Sequence, residues 1–152
     1  MFFLKELPTQ GMIEAYRKRF PQMNAGAVAA ALELLREASR LIRELEAYFA
    51  AHDFSQLRFL ILIVVDREPD AGGLTMTEIA ERLDVSKPVL TRTLQSLLDV
   101  GFVRFLDNAE DGRSKLVLLT PEGRQKLDEI LPGYYEIIES FMAKREKKEN
   151  SH

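Results

Sequence analysis

Cationic and amide side chains recur along residues 86–98 at a spacing that places them on one side of a helix. At about 100° per residue, a helix that buries Leu90, Leu94 and Leu97 leaves its opposite side polar. The residues that point outward or flank that side are Lys87, Pro88, Thr91, Arg92, Gln95 and Ser96. Arginine and lysine suit guanine acceptors in the major groove, glutamine suits adenine, and the free amides near Ser86 can bind a phosphate. Because no acid occurs between Lys87 and Leu98, this surface predicts contact with nucleic acid.

The elements that would position this helix are marked by capping residues. Thr75 and Glu78 form a capping-box pattern that starts a short helix, and Ser86 is expected to cap the next one. Gly101 gives a left-handed stop near the end of that second helix. Asp84 occupies a turn position where glycine is common, and an aspartate can adopt a left-handed conformation there at modest cost. Two short helices joined by so tight a turn predict a helix-turn-helix.

A hairpin follows the second helix directly. Apolar residues at 102–106 and 115–119 flank a polar turn at 107–114, which is the pattern of two antiparallel strands. Arg113 lies near the tip, where it could enter a narrow minor groove. We expect Asp111 to orient Arg113 rather than to contact DNA, and we include Lys115 among the predicted DNA-binding residues.

The segment LTMTEIAERLDVSKPVLTRTLQSLLDVGFVR at 74–104, followed by Asp111-x-Arg113-x5-Leu119-Thr120, resembles the MarR family of bacterial transcriptional regulators. The similarity extends from about Phe54 to Gly123. It implies a homodimer of interleaved N- and C-terminal helices whose two winged lobes read a pseudo-palindromic operator. By motif position, the residues facing the major groove would be Ser86, Lys87, Pro88, Thr91, Arg92 and Gln95. Arg113 would enter the minor groove, braced by Asp111.

The resemblance also implies a small aromatic effector that is often bound between lobe and dimer domain. Four tyrosines on the presumed dimer helices could line such a pocket, although buried core or interface packing is the alternative: Tyr16, Tyr48, Tyr134 and Tyr135. Val89 stands where the family often has a polar residue, and it could favour a thymine methyl.

Helices are predicted on both sides of the winged segment. Asn24 caps a long helix whose apolar positions are too broadly spread for a single buried face, so a partner subunit could cover the second face. Thr120 caps a last helix, which Pro132-Gly133 should kink or interrupt, and residues 144–152 are expected to fray. The chain ends too soon for a further full helix after this one, so we expect a rearranged dimer interface.

The resulting fold class is mostly α with a small β-hairpin wing. It comprises N-terminal dimerisation helices at 1–53, a winged helix-turn-helix DNA-binding domain at 54–120, and a C-terminal dimerisation helix with a charged tail at 121–152. Ser55 is expected to cap the first helix of the middle segment, and a loop is expected at 68–73.

Composition narrows the possible functions. The 152 residues carry a net charge of −3, no cysteine and two histidines. Thiol chemistry and zinc sites with Cys ligands are therefore excluded, and we expect no metal, no cofactor and no enzymatic activity. No apolar run is long enough to cross a bilayer, so a cytoplasmic location without a membrane partner is expected.

Two functions remain open. The first is a sequence-specific transcriptional regulator, predicted to be a repressor, that binds double-stranded DNA as a homodimer. The second is a winged-helix protein-interaction module without DNA binding, which the acidic balance favours because DNA-binding proteins usually carry a basic patch.

Overall fold

A computed structural model describes residues 2–68 and 72–151 of the chain. The chain divides into two compact units, Met1–Leu45 and Glu46–His152. The predicted loop at 68–73 is described only at its ends, because Pro69, Asp70 and Ala71 lie outside the described residues, as does His152. The elements in chain order are α1 (Gln10–Arg19), α2 (Ala25–Ala51), α3 (Gln56–Asp66), β1 (Leu74–Thr75), α4 (Met76–Arg82), α5 (Lys87–Asp99), β2 (Val103–Asp107), β3 (Lys115–Leu119) and α6 (Pro121–Glu149).

In the first unit, side-chain caps start both helices. The hydroxyl of Thr9 accepts the Met12 amide at 3.2 Å at the start of α1. Asn24 Oδ1 accepts the Ala27 amide at 3.0 Å, which confirms Asn24 as the cap of α2. Both bonds satisfy amides that have no partner within the helix.

Large apolar side chains remain exposed on both helices of this unit. The exposed residues are Met12, Tyr16 and Phe20 near α1, and Leu34, Leu35 and Ile42 on α2. Ile13 and Leu45 are buried. The single chain therefore leaves part of the apolar surface of α2 uncovered, as the broad apolar pattern predicted.

The core of the second unit is centred on α3. Ser55 caps this helix through a bond from the Arg58 amide to its hydroxyl at 3.2 Å, as predicted. Phe59, Ile61 and Leu62 are almost completely buried, and α3 contacts α4, α5, α6 and β3. This helix is the common support of the helix-turn-helix and the sheet.

Within residues 2–68 and 72–151 no single helix is long and apolar enough to span a membrane. Only α2 and α3 taken together have that length and composition, and this pair is bent.

Three antiparallel strands form one sheet in the order β1-β3-β2. The predicted hairpin is confirmed, with Val103 opposite Leu119 and Asp107 opposite Lys115. The third strand, β1, was not predicted: Leu74 pairs with Val117 and Thr75 with Leu116. The mostly helical fold with a small β wing is therefore confirmed, and the wing is joined to the start of α4 through β1.

The last helix differs from its prediction in two respects. Thr120 caps α6 as expected, accepting the Gly123 amide at 3.0 Å. Of the kink or interruption expected at Pro132-Gly133, the interruption is absent, because α6 continues from Pro121 to Glu149. Leu127 and Ile130 are fully buried before the proline, and packing of that kind can hold a helix through the loss of one hydrogen bond.

The expected fraying after residue 144 is also wrong for residues 144–149, which are helical. Arg145 Nε forms an ion pair with Glu149 at 3.2 Å, one turn further along the helix. The segment is rich in lysine, arginine and glutamate, which have high helix propensity, and such i,i+4 pairs add to it.

Candidate nucleic-acid interface

The helix-turn-helix begins at a complete capping box. Thr75 Oγ1 accepts the Glu78 amide at 3.2 Å, and Glu78 Oε2 accepts the Thr75 amide at 2.8 Å. Ile79 in the first turns of α4 is fully buried. Asp84 does not use the left-handed conformation that is open to it, since Asp53 is the one non-glycine residue with a positive φ within residues 2–68 and 72–151. Leu83 instead ends α4 in an extended conformation, which turns the chain without a left-handed residue.

The apolar side of α5 is buried as predicted. Leu90, Leu94 and Leu97 are at most 1% exposed. Ser86 occupies the N-cap position, but its hydroxyl accepts no cap hydrogen bond, contrary to the prediction. Pro88, at the second helical position, has no amide hydrogen to donate, so one of the two usual donors to a cap side chain is missing. The Ser86 hydroxyl is therefore available at the start of the helix.

The opposite side of α5 carries the predicted contact residues on one exposed surface. These residues are Ser86, Lys87, Pro88, Thr91, Arg92 and Gln95. We call this set the α5 polar face. Thr91 donates its hydroxyl hydrogen to the Lys87 carbonyl at 2.9 Å. Gln95 Nε2 donates to Asp99 Oδ1 at 2.9 Å, so its amide is already engaged in the free protein.

Ser96 does not belong to this face, although the helical projection placed it outward. It is half-buried, and Arg58 Nε of α3 donates to its hydroxyl oxygen at 3.1 Å. The Ser96 hydroxyl in turn donates to the Thr93 carbonyl at 2.7 Å. Thr93, which stands where an apolar residue was expected, satisfies its own hydroxyl through the Val89 carbonyl at 2.8 Å.

Arg58 was not identified from the sequence. It lies 38 residues before Ser96, in a helix otherwise recognised by its apolar residues. Its bond ties α3 to the middle of α5 and thereby helps to fix the orientation of the α5 polar face. No local pattern in the sequence relates two residues at that separation.

The end of α5 is tied to both the wing and α6. Gly101 adopts a φ of 78°, as its predicted left-handed stop requires. The Phe102 amide donates to the Leu97 carbonyl at 2.9 Å, and the Phe102 carbonyl accepts the Thr120 amide at 3.1 Å. The Thr120 hydroxyl donates to the Gly101 carbonyl at 2.5 Å. These bonds fix Phe102, the residue that precedes β2, relative to α5 and to the start of α6.

Asp111 organises the turn of the wing through the main chain. Its Oδ1 accepts the Arg113 amide at 3.0 Å, and its carbonyl accepts the Ser114 amide at 3.2 Å. Asn108 Nδ2 closes the turn by donating to Ser114 Oγ at 3.0 Å. Arg113 is exposed, and the structure shows a contact from Asp111 to its backbone rather than to its guanidinium.

Lys115, the remaining predicted contact residue, is paired across the hairpin. Its Nζ lies 2.6 Å from Asp107 Oδ1, and both side chains are well exposed. The hydrogen bond from Lys115 holds the pKa of the Asp107 carboxyl below its ordinary value, and the positive charge of Lys115 adds to that effect. The lysine therefore has a carboxylate partner on the exposed surface of the wing.

No group of three or more His, Asp or Glu side chains is arranged to hold a metal ion anywhere in the described part of the chain.

Comparison with known proteins identifies the family. A profile described as MarR family matches residues 52–114. The chain is 32% identical over 139 residues to the HTH-type transcriptional repressor YetL of Bacillus subtilis (strain 168), which covers 91% of this chain and 83% of YetL. It is 36% identical to the multiple antibiotic resistance protein MarR of Salmonella typhimurium, over 53% of this chain and 54% of that protein.

Solved structures agree with this assignment. A MarR-like transcription regulator from Bacillus cereus ATCC 10987 superposes with a TM-score of 0.69 at 18% identity, covering 79% of this chain and 84% of that one. The M. tuberculosis regulator MosR in complex with DNA superposes with a TM-score of 0.60 at 25% identity, covering 80% and 90%. With a relative matched along most of both chains and a helix-turn-helix built as described above, the chain belongs to the MarR family of DNA-binding transcriptional regulators.

Proposed function

We propose that this regulator reads its DNA site by inserting the α5 polar face into the major groove. The observation that carries the proposal is that this face is exposed, contains two cations, and has no acid between Lys87 and Leu98. Arg92 and Lys87 suit guanine, whereas Gln95 can turn its amide from Asp99 to adenine. The free Ser86 hydroxyl and the first amides of α5 would receive a phosphate.

The wing would add a second contact. Arg113 is exposed next to a turn that Asp111 holds through the main chain, so the arginine can enter the minor groove without disturbing that turn. Lys115 would contact a phosphate after exchanging its Asp107 partner for it. In this arrangement Asp111 supports the wing and does not itself contact DNA.

The chain would act as a homodimer, with residues 1–53 and 121–152 supplying the dimer helices. The exposed apolar residues Leu34, Leu35 and Ile42 on α2 support this, because a monomer gains nothing from leaving them in water. Two α5 helices would then lie about one DNA turn apart, roughly 34–36 Å, and the operator would be a pseudo-palindrome. The relative YetL is named a repressor, and we propose repression in the cytoplasm, without enzymatic activity, for this chain too.

We propose that a small aromatic molecule acts as an effector of this regulator. Tyr48 is engaged by a bond from its hydroxyl to the Ile130 carbonyl at 2.7 Å, and the Tyr134 ring packs 4.6 Å from that of Phe59. Both therefore have packing roles, whereas Tyr16 and Tyr135 are exposed. Titration of the protein–DNA complex with aromatic acids would reveal an effector as a loss of DNA affinity.

Selection of bound sites from random DNA, followed by affinity measurements, tests the DNA proposal. Arg92→Ala should lose about 1–3 kcal/mol on the selected site and relax the base preference at one position of each half-site. Arg113→Ala should weaken binding to all sequences and reduce the salt slope by about 1. Lys144→Ala, which removes an exposed cation of α6, is the matched control and should bind like the wild type.

Equal affinity and base preference for wild type, Arg92→Ala and Arg113→Ala would overturn the proposed contacts. A protein-interaction module remains the second candidate, because residues 54–120 contain eight Lys and Arg against ten Asp and Glu. Failure to retard mixed genomic fragments even at low salt would favour that module. Retardation at low salt that weakens as the salt concentration rises would favour DNA binding.

A further inference from the structure

The first unit contains a small pocket with a strongly basic lining. It has a volume of about 150 Å³ and lies between the N-terminal segment and one side of α2. Its lining residues are Phe2, Leu4, Lys5, Arg36, Ser39, Arg40 and Arg43. We call this the basic pocket. The four residues from α2 recur at intervals of three, one and three, so they share one side of the helix.

The N-terminal segment closes one side of the basic pocket through a direct bond. Arg43 Nη2 donates to the Phe2 carbonyl at 3.4 Å, and no other polar contact joins these two segments among the bonds described for the pocket residues. This bond uses one donor of a guanidinium that has five, so most of the donors of Arg43 stay available to a ligand.

The electrostatics of the basic pocket are unbalanced. Its lining includes four cations and, among the residues that the structure describes, no carboxylate. The first unit as a whole also has a positive net charge, because residues 1–45 contain seven Lys and Arg against five Glu. The complete chain, by contrast, has a net charge of −3. Cations that are brought together without an acid repel one another, and an anion bound between them removes that repulsion.

Ser39 adds a second, independent observation. It is only 9% exposed and is the one polar residue named among the buried side chains of the described chain. Ser39 lines the pocket beside the cations. Its hydroxyl can donate a hydrogen bond to a ligand oxygen.

We propose that the basic pocket binds the phosphate group of a small phosphorylated metabolite. A phosphate carries up to two negative charges and several acceptor oxygens, which suits three guanidinium groups, an ammonium group and a hydroxyl better than a carboxylate does. A phosphate with a short substituent fits this volume, and the substituent would lie against the apolar side chains of Phe2 and Leu4. This site is separate from the α5 polar face and does not depend on the proposed DNA contacts.

Isothermal titration of the full chain with methyl phosphate, at constant ionic strength, tests the proposal. We expect saturable binding of one ligand per chain. Arg40→Gln and Ser39→Ala should each weaken it by on the order of tenfold, since each removes a hydrogen bond to a charged group. Lys18→Gln, which removes an exposed cation of the same unit outside the pocket, is the matched control and should bind methyl phosphate like the wild type.

Three outcomes would overturn the proposal. The first is the absence of saturable binding by wild-type protein that circular dichroism shows to be folded. The second is equal weakening by Arg40→Gln and Lys18→Gln, which would show a general effect of net charge. The third is tighter binding of propionate than of methyl phosphate, which would identify a carboxylate site instead. Because Arg40 is exposed, Arg40→Gln should fold normally, and the result does not depend on the variant at Ser39.

Discussion

Substituting alanine for Gly123 tests how the structure holds the wing in place. Gly123 is buried in the first turn of α6, directly against the main chain of Phe102 at the junction of α5 and β2. A β-carbon at position 123 would overlap the Phe102 carbonyl oxygen and lie 2.8 Å from its carbonyl carbon. The main chain cannot rotate away as a flexible side chain could, so either α6 or the start of the wing must move.

The expected change in the free energy of unfolding of Gly123→Ala is the sum of three contributions. Overpacking of a buried site costs about 1–3 kcal/mol. Displacing the Phe102 carbonyl would weaken the bond that it accepts from Thr120 at 3.1 Å, which costs about 0.5–1.5 kcal/mol. Alanine gains at most about 1 kcal/mol over glycine in a helix. Together these contributions should lower the free energy of unfolding by about 0.5–4.5 kcal/mol, with a central value of about 2 kcal/mol.

Urea denaturation of Gly123→Ala and of a matched variant, Gly26→Ala, measures this effect. A β-carbon at position 26 would have Asn24 Oδ1 at 3.5 Å as its nearest neighbour, an ordinary contact, so only the helix propensity of alanine remains. Gly26→Ala should raise the free energy of unfolding by up to about 1 kcal/mol, opposite in sign to Gly123→Ala. A Gly123→Ala protein as stable as the wild type would refute the close approach of α6 to Phe102.

Three further predictions concern single side chains. Thr75→Ala removes the hydroxyl half of the capping box and should lower the free energy of unfolding by about 1 kcal/mol in urea denaturation, and Thr75→Ser should restore most of it. Tyr48→Phe removes the bond to the Ile130 carbonyl and should cost about 0.5–1.5 kcal/mol by the same measurement; an unchanged midpoint would contradict that bond. Asp107→Asn frees Lys115 and should increase DNA affinity and steepen its salt dependence, as measured by fluorescence anisotropy. Since Lys115 lowers the pKa of Asp107, the wild-type ion pair persists as pH falls until that lowered pKa is passed.

The helix starts of this chain were predictable because a helix cap is a local device. Asn24, Ser55, Thr75 and Thr120 each accept an amide hydrogen from a residue three positions later, so the residue type and its spacing contain the information. Gly101 was predictable for the same reason, since its left-handed φ is a property of one residue.

The features that could not be predicted depend on residues far apart in the sequence. β1 has two residues, too few for a periodic pattern, and exists because it pairs with β3 more than forty positions later. The helix passes through Pro132 because of packing on both sides of it: Ile130 is buried, and the Tyr134 ring contacts Phe59. Local propensity was overridden there by tertiary contacts.

In the candidate site, the side of the helix on which a residue lies was predictable, whereas its hydrogen-bond partner was not. The helical period correctly placed Arg92 and Gln95 on the exposed side of α5, because that requires only the burial of its leucines. The same projection failed for Ser96, since Arg58 reaches it from α3. Asp111 was correctly associated with Arg113, but the sequence could not reveal that the contact is to the main chain.

An acidic regulator can bind DNA if the carboxylates near its contact surface already have partners. Asp107 holds Lys115, Asp99 accepts from Gln95, and Asp111 accepts a main-chain amide. Lys87, Arg92 and Arg113 have no ion pair among those described for residues 2–68 and 72–151, so they can meet phosphates or bases without first losing a carboxylate. The number of phosphates neutralised per chain should then be small, and with a slope of about −0.9 per phosphate the salt dependence should be modest. Base contacts would therefore supply a larger share of the binding free energy than in a basic DNA-binding protein, which makes affinity unusually sensitive to single changes on the α5 polar face.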